Sequence, residues 1–126
     1  MADAVVTLIA RRKMVRARAG EIELPPIVGM AFGTGGVDSS GNPVQPLVSD
    51  EGLKNEVFRK AVDSHVFTDD TTCRYLCTLA ASECVDEEIS ELGLYDSDGD
   101  IIAIKTFRSK GKDSDLEMTF RVDDIF

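Results

Sequence analysis

The sequence predicts an α+β fold, mainly antiparallel β-sheet in a sandwich-like arrangement, with an N-terminal helix and one short helix. Three observations support this class. Much of the second half alternates apolar and polar residues with the two-residue period of a half-buried strand. An Asp-Gly pair joins two apolar runs, which is typical of a β-hairpin. A stretch near the N terminus lacks both Gly and Pro, which favours a helix.

The predicted elements of the first half follow in order. Residues 3–19 form the helix, because glycine follows them where helices commonly end. Alternation predicts a short strand at 22–24, and an apolar run predicts a second strand at 27–32. The Gly- and Pro-containing residues 33–46 predict a long loop. Residues 50–60 are expected to form the short helix.

The second half is predicted to be mostly strand. Alternation or apolar runs predict strands at 72–81, 89–95, 101–107 and 116–122. The hairpin turn falls between the second and third of these, because Gly99 supplies a positive φ without steric cost. No internal repeat or linker divides the chain, so we expect a single domain spanning residues 1–126.

Composition excludes several classes of protein. Of the 126 residues, 43% are hydrophobic and 29% are charged, as in globular rather than disordered chains. The net charge of −9 argues against a nucleic-acid partner, which requires clustered Lys and Arg. No apolar run approaches the roughly 20 residues of a bilayer span, so no membrane partner is expected.

Charge is distributed unevenly along the chain. Residues 1–20 hold five basic side chains and one acid, a local charge of +4, whereas the remaining 106 residues carry −13. The predicted helix also has an imperfect apolar stripe of Val5, Leu8, Val15 and Ala19, so we expect this mixed face to pack partly on another chain. The basic residues lack interleaved aromatics, which favours a solvated face, or contact with an acidic partner or second copy, over nucleic acid or membrane. The candidate contact residues are Arg11, Arg12, Arg16 and Arg18.

A D-x-D-x-D pattern at Asp96, Asp98 and Asp100 resembles the start of a calcium loop. The loop would need Gly at its sixth position and Glu at its twelfth, and these places hold Ile101 and Phe107. The pattern therefore predicts a hairpin turn and no metal site.

The other candidate sites lack essential parts. Cys73 and Cys77 lie in one predicted strand, about 13 Å apart at ~3.3 Å per residue, so they cannot share a zinc ion. With Cys84 they are expected to be core thiols. His65 is the only histidine and no nucleophile motif accompanies it, so no enzymatic activity is expected. The glycines at 33–36 lack the Lys and helix of a phosphate loop, so no cofactor is expected.

Three stretches in order carry a family resemblance: GMAFGTGG at 29–36, LKNEVFRKAV at 53–62 and ISELGLYDSDGDIIAIKTF at 89–107. Together they resemble the N-terminal domain of phage tail-collar fibre proteins over nearly the whole chain. The residues that match the family motifs are Gly33, Gly35, Gly36, Leu53, Asn55, Glu56, Phe58, Arg59, Glu91, Gly93, Leu94, Tyr95, Asp96, Asp98 and Gly99.

The resemblance implies a non-enzymatic component of a phage or prophage-derived tail, anchoring or adapting a tail fibre to the baseplate. Its implied partners are other tail or baseplate proteins and further copies of itself, with a trimer favoured. The implied location is the virion tail, after assembly in the bacterial host cytoplasm. Glu56 and Arg59 are expected to pair with each other or with Glu91, holding the short helix to the sheet.

Two expectations remain open at this point. Family members often continue into a repetitive fibre, whereas this sequence ends at Phe126, so attachment is favoured over receptor binding. The alternative is a free-standing small-molecule or carbohydrate-binding module. In that case, loop 33–46 and the acidic edge at 83–100 would frame the pocket.

Overall fold

The computed structural model describes residues 4–126, and in that range the chain forms eight strands and one helix. In chain order these are β1 (Val5–Val6), α1 (Leu8–Arg18), β2 (Ile27–Gly33), β3 (Glu56–Ala61), β4 (Ser64–Asp69), β5 (Thr72–Leu79), β6 (Glu88–Asp96), β7 (Ile101–Gly111) and β8 (Met118–Ile125). The predicted α+β class, mainly antiparallel sheet, is confirmed.

Two antiparallel sheets enclose the core. The larger has the strand order β1-β7-β6-β2-β3, and the smaller has the order β4-β5-β8. The Phe32 ring of the larger sheet lies 5.4 Å from the Phe120 ring of the smaller, measured between centroids. The fully buried apolar residues around this contact come from five strands: Met30, Phe32, Cys77, Leu79, Ile89, Leu92, Leu94, Ala103 and Val122.

The predicted hairpin between β6 and β7 is confirmed. Gly99 has a φ of +87°, and its backbone N–H donates to the Asp96 carbonyl at 2.9 Å. The two strands pair in a register that places Leu94 opposite Ala103. This local turn brings β6 and β7 together as antiparallel neighbours in the larger sheet.

The helix lies on the sheet with a different face from the one predicted. The Thr7 side chain caps its first turn and also donates to the Ile101 carbonyl of β7 at 2.9 Å, which fixes the rotation of α1. Ala10 is consequently buried, whereas Val15 is 69% exposed. The helix also begins at Leu8 instead of residue 3, so Val5 of the expected stripe lies in β1 and pairs with β7. The other three stripe residues, Leu8, Val15 and Ala19, are exposed.

The predicted short helix at 50–60 is wrong. Strand β3 occupies the end of this segment and pairs with β2, placing Phe58 opposite Phe32. Its main-chain groups bond to β2 and its apolar side chains pack against the core, and these tertiary interactions outweigh helix propensity.

The strand expected at 22–24 is also absent, while an unexpected strand is present. Residues 22–24 precede two prolines and pair with no other strand. Strand β4 was not predicted, because all six of its residues are exposed and no face carries an apolar pattern.

The aromatic core contact predicts a contrast between two phenylalanines. Phe32→Ala should lower the free energy of unfolding by about 3–5 kcal/mol, because it leaves a cavity between the sheets. Phe67→Ala on β4, where the side chain is 70% exposed, should lower the free energy of unfolding by less than about 1 kcal/mol. Urea denaturation followed by circular dichroism measures both. Equal losses would contradict this packing.

Candidate functional site

The three motif stretches meet at the carboxylate of Glu91, which is only 1% exposed. It accepts hydrogen bonds from the backbone N–H groups of Gly35 at 2.8 Å, Lys54 at 2.8 Å and Asn55 at 2.9 Å. A buried carboxylate is costly unless hydrogen bonds replace its water, and these three donors do so. Glu91 therefore ties β6 to the two loop segments that precede β3.

The glycines of the first stretch allow the chain to approach Glu91 closely. A Cβ at Gly33 would lie 2.5 Å from a Glu91 carboxylate oxygen, and one at Gly36 would overlap the Ser90 carbonyl. The Gly36 N–H donates to the Ser90 hydroxyl at 2.9 Å. These glycines thus make the tight strand exit possible.

The second stretch is fixed by further contacts at the same place. The side chains of Asn55 and Thr34 form a hydrogen bond of 2.6 Å, and the Thr34 N–H donates to the Asn55 carbonyl at 3.0 Å. Leu53 packs beside Gly93, where a Cβ would lie 3.2 Å from the Leu53 methyl. Loop 33–46 and the segment before β3 are consequently held against the β6–β7 hairpin.

Arg59 connects β3 to the hairpin. Its guanidinium lies 4.5 Å from the centre of the Tyr95 ring and donates to the Gly99 carbonyl at 3.0 Å. It also forms the predicted pair with Glu56, at 2.8 Å. Glu91 is not its partner, and the expected helix is absent, because Glu56 and Arg59 both lie on β3, a strand of the sheet itself. Gly29 makes room for this arrangement, because a Cβ there would overlap the Tyr95 ring.

The aspartate turn holds the ammonium group of Lys13. Its Nζ lies 2.6 Å from Asp96, 3.0 Å from Asp98 and 2.7 Å from Asp100. These carboxylates are the only group of three His, Cys, Asp or Glu side chains in residues 4–126 whose ligand atoms converge, all within 4.8 Å. The lysine therefore supplies the positive charge at the position where a calcium loop would hold its ion.

Lys13 was not recognised from the sequence as different from the arginines around it. Burial lowers the pKa of Lys13, but the hydrogen bonds that it donates to Asp100, Asp96 and Asp98 outweigh this effect, so its pKa is raised overall. The available signal was helical spacing, because Lys13 lies three residues after Ala10 on the inner side of α1.

The predicted contact residues Arg11, Arg12, Arg16 and Arg18 are all exposed on the outer side of α1. Leu8 and Val15, both exposed, lie among them. We call these six residues the arginine face. The structure thus displays the basic residues together with two apolar side chains on one surface.

The cysteines and His65 lie apart from these groups. Cys77 is fully buried, while Cys73 and Cys84 are half-buried, so the prediction of core thiols holds fully only for Cys77. Burial raises the pKa of Cys77 to about 11. His65 lies on the exposed strand β4, its ring 5.8 Å from the Phe67 ring.

In the part of the chain that the structure describes, loop 33–46 lines a small cavity beside Glu91. It packs over Glu91 and leaves a cavity of about 20 Å³, which has room for roughly one water molecule. This cavity is too small for the small-molecule or carbohydrate ligand of a binding module.

Removing the Glu91 carboxylate should destabilise the protein strongly. Glu91→Ala leaves three backbone donors without a partner, so we expect a loss of about 3–5 kcal/mol in unfolding free energy. Glu88→Ala, on the same strand but exposed, is the matched control and should change it by less than about 1 kcal/mol. Urea denaturation compares the two. A similar small effect at both positions would contradict the proposed role of Glu91.

Lys13→Met should lower the free energy of unfolding by about 2–4 kcal/mol, because it leaves three neighbouring carboxylates without their cation. The folded-state pKa of Lys13 is raised, so its contribution is complete below the ordinary lysine pKa of about 10.4 and is lost only as pH rises through the higher folded value. The loss should therefore be equal at pH 7 and pH 9 in urea denaturation. Arg12→Met is the control and should have little effect. A loss that shrinks by half at pH 9 would contradict the raised pKa.

The thiols should differ in reactivity. At pH 8, Ellman's reagent should label Cys73 in the folded protein but Cys77 only after unfolding, because Cys77 is buried and its raised pKa keeps it protonated. Mass spectrometry of peptides locates the labelled thiol. Labelling of Cys77 as fast as Cys73 would show that this part of the core opens.

Comparison with known proteins identifies the family. A family model described as phage tail-collar fibre protein, N-terminal, matches residues 1–122. Neither the curated proteins nor the solved structures contain a match. Within residues 4–126 no helix is long and apolar enough to cross a membrane. The matched range includes all three stretches that converge on Glu91, and the chain belongs to the phage tail-collar fibre protein family, matching its N-terminal domain.

Proposed function

We propose that this domain attaches a tail fibre to the baseplate of a phage or prophage-derived tail, as an anchor or adaptor that catalyses no reaction. The observation that carries the proposal is the arginine face of α1, which is exposed on a helix tied to the sheet at both Thr7 and Lys13. A surface held in this way presents a fixed pattern of charge to a partner.

Family membership supports the broader part of this function. Members are structural proteins of the phage tail, so the chain has a structural role in the virion tail and contacts other tail proteins. The baseplate as the attachment point, and assembly in the host cytoplasm, belong to the proposal.

The composition of the arginine face favours a protein partner. Arginine is enriched in protein–protein interfaces, and the exposed Leu8 and Val15 add apolar surface that a partner can cover. Outside residues 1–20 the chain carries −13, so a second copy offers a complementary acidic surface. We therefore propose a homo-oligomer, with a trimer favoured. The acidic body would repel nucleic acid, which is not proposed as a partner.

A small-molecule-binding module is the alternative function. A specific feature favours it, namely a cavity of about 450 Å³ between β7 and β8, which is in the size range of ligand sites. Its wall is mainly apolar, including Phe107 and Phe120, so it suits a carbohydrate poorly.

Reversing charge on the arginine face should prevent self-association. Arg12→Glu with Arg16→Glu should shift the protein to monomer in sedimentation at micromolar concentration, and 0.5 M NaCl should do the same to the unaltered protein. Lys54→Glu with Arg108→Glu, also exposed but outside α1, is the control of equal charge change. If both double variants sediment like the unaltered protein at low and high salt, the arginine face is not the contact.

Attachment itself is tested in particles. A phage or tail particle that lacks its own copy of this protein would be complemented with each double variant. Purified particles would then be analysed by immunoblot for this domain and for the fibre protein. We expect the arginine-face variant to lose both signals by at least tenfold and the control variant to retain them. Full incorporation of the arginine-face variant would overturn the proposal.

A further inference from the structure

The cavity between β7 and β8 has an apolar wall and a basic rim. Its volume is about 450 Å³. Leu92 and Phe107 contribute the wall from the larger sheet, and Met118 and Phe120 contribute it from the smaller. We call this cavity the β7–β8 groove.

Strand β8 presents its edge to this groove. It is the last strand of the smaller sheet and pairs with β5 alone. Four consecutive residues, 118–121, line the groove. Because successive side chains point to opposite faces of a strand, four consecutive lining residues indicate that the backbone edge itself borders the groove. A strand edge carries N–H and C=O groups able to pair with an added strand.

The rim concentrates positive charge in the acidic part of the chain. Lys105, Lys110 and Arg121 line the groove. Residues 21–126 carry a net −13, so three cations around one opening are a local exception. An occupant that pairs with this rim carries carboxylates close to its apolar groups.

We propose that the β7–β8 groove binds an extended segment of a partner protein, in which acidic and apolar residues alternate, by addition of a strand to β8. Main-chain hydrogen bonds to β8 supply part of the affinity, and alternate apolar side chains enter the groove. The acidic side chains between them meet Lys110 and Arg121 at the rim. This contact is separate from the arginine face of α1.

A polypeptide uses more of the observed features than a small anionic amphiphile would. A fatty acid would pair its carboxylate with the rim and place its chain on the apolar wall, but it has no groups to pair with the edge of β8. Only an extended chain matches the wall, the rim and the strand edge together.

The test uses the full chain and a designed peptide. The peptide is seven residues long and acetylated, with four glutamates alternating with valine, leucine and valine, and the control peptide has lysine in place of each glutamate. Titration followed by amide NMR should show the glutamate peptide shifting signals of residues 118–121. The lysine peptide should bind at least tenfold more weakly.

Variants separate this groove from the arginine face. Lys110→Glu with Arg121→Glu should weaken binding of the glutamate peptide at least tenfold, whereas Arg12→Glu with Arg16→Glu should leave it unchanged. Should the rim variant unfold at a lower urea concentration, Lys110→Gln provides the milder change and should still weaken binding. If the arginine-face variant still binds the glutamate peptide but no longer enters particles, the two contacts are independent.

Several results would overturn the proposal. Equal binding of both peptides, or shifts confined to residues outside the groove, would show that the rim does not select an acidic strand. Failure of the glutamate peptide to bind, with dodecanoate binding at the same residues, would make the cavity an amphiphile site. The glutamate peptide could fail to bind while the unaltered protein forms a dimer that the rim variant abolishes. That result would assign the groove to a second copy of this chain.

Discussion

The fold around the hairpin depends on how one buried negative charge is accommodated. Glu91 lies inside the protein, away from water, and its carboxylate requires donors. Three backbone N–H groups from two loops supply them. Such donors must approach within 3 Å, and that distance explains why the first loop begins with glycines. The motifs that appear separate in sequence are therefore parts of one hydrogen-bonding arrangement.

A second charged group sets the orientation of the helix. The ammonium of Lys13 reaches the aspartate turn, and the Thr7 hydroxyl reaches the neighbouring end of β7. These two contacts fix the inner side of α1, so the opposite side is fixed as well. The arginine face is exposed because polar groups, more than apolar burial, determine how α1 rotates. Lys13, which orients the helix, and the arginines proposed to contact a partner thus lie on the same helix but have different roles.

Local signals predicted the parts of the fold that local physics determines. The Asp-Gly turn requires a positive φ, so the β6–β7 hairpin was predictable from a few residues. The segment of β3 has no such signal, because its strand form depends on pairing with β2. Strand β4 buries no face, so it shows no alternation. The residues of the candidate site could be listed from the family motifs. Their convergence on Glu91, and the position of Lys13 among the aspartates, needed the tertiary structure.

The contacts of α1 also have a consequence for synthesis on the ribosome. Thr7 bonds to Ile101, 94 residues further along the chain, and Lys13 bonds to Asp96. At ribosomal rates of about 5–20 residues per second, the helix segment waits roughly 5–20 s before the hairpin that anchors it has been made. During that interval neither side of the helix segment is covered by the sheet. The cationic segment at residues 1–20 is therefore synthesised before the acidic residues that later offset its charge.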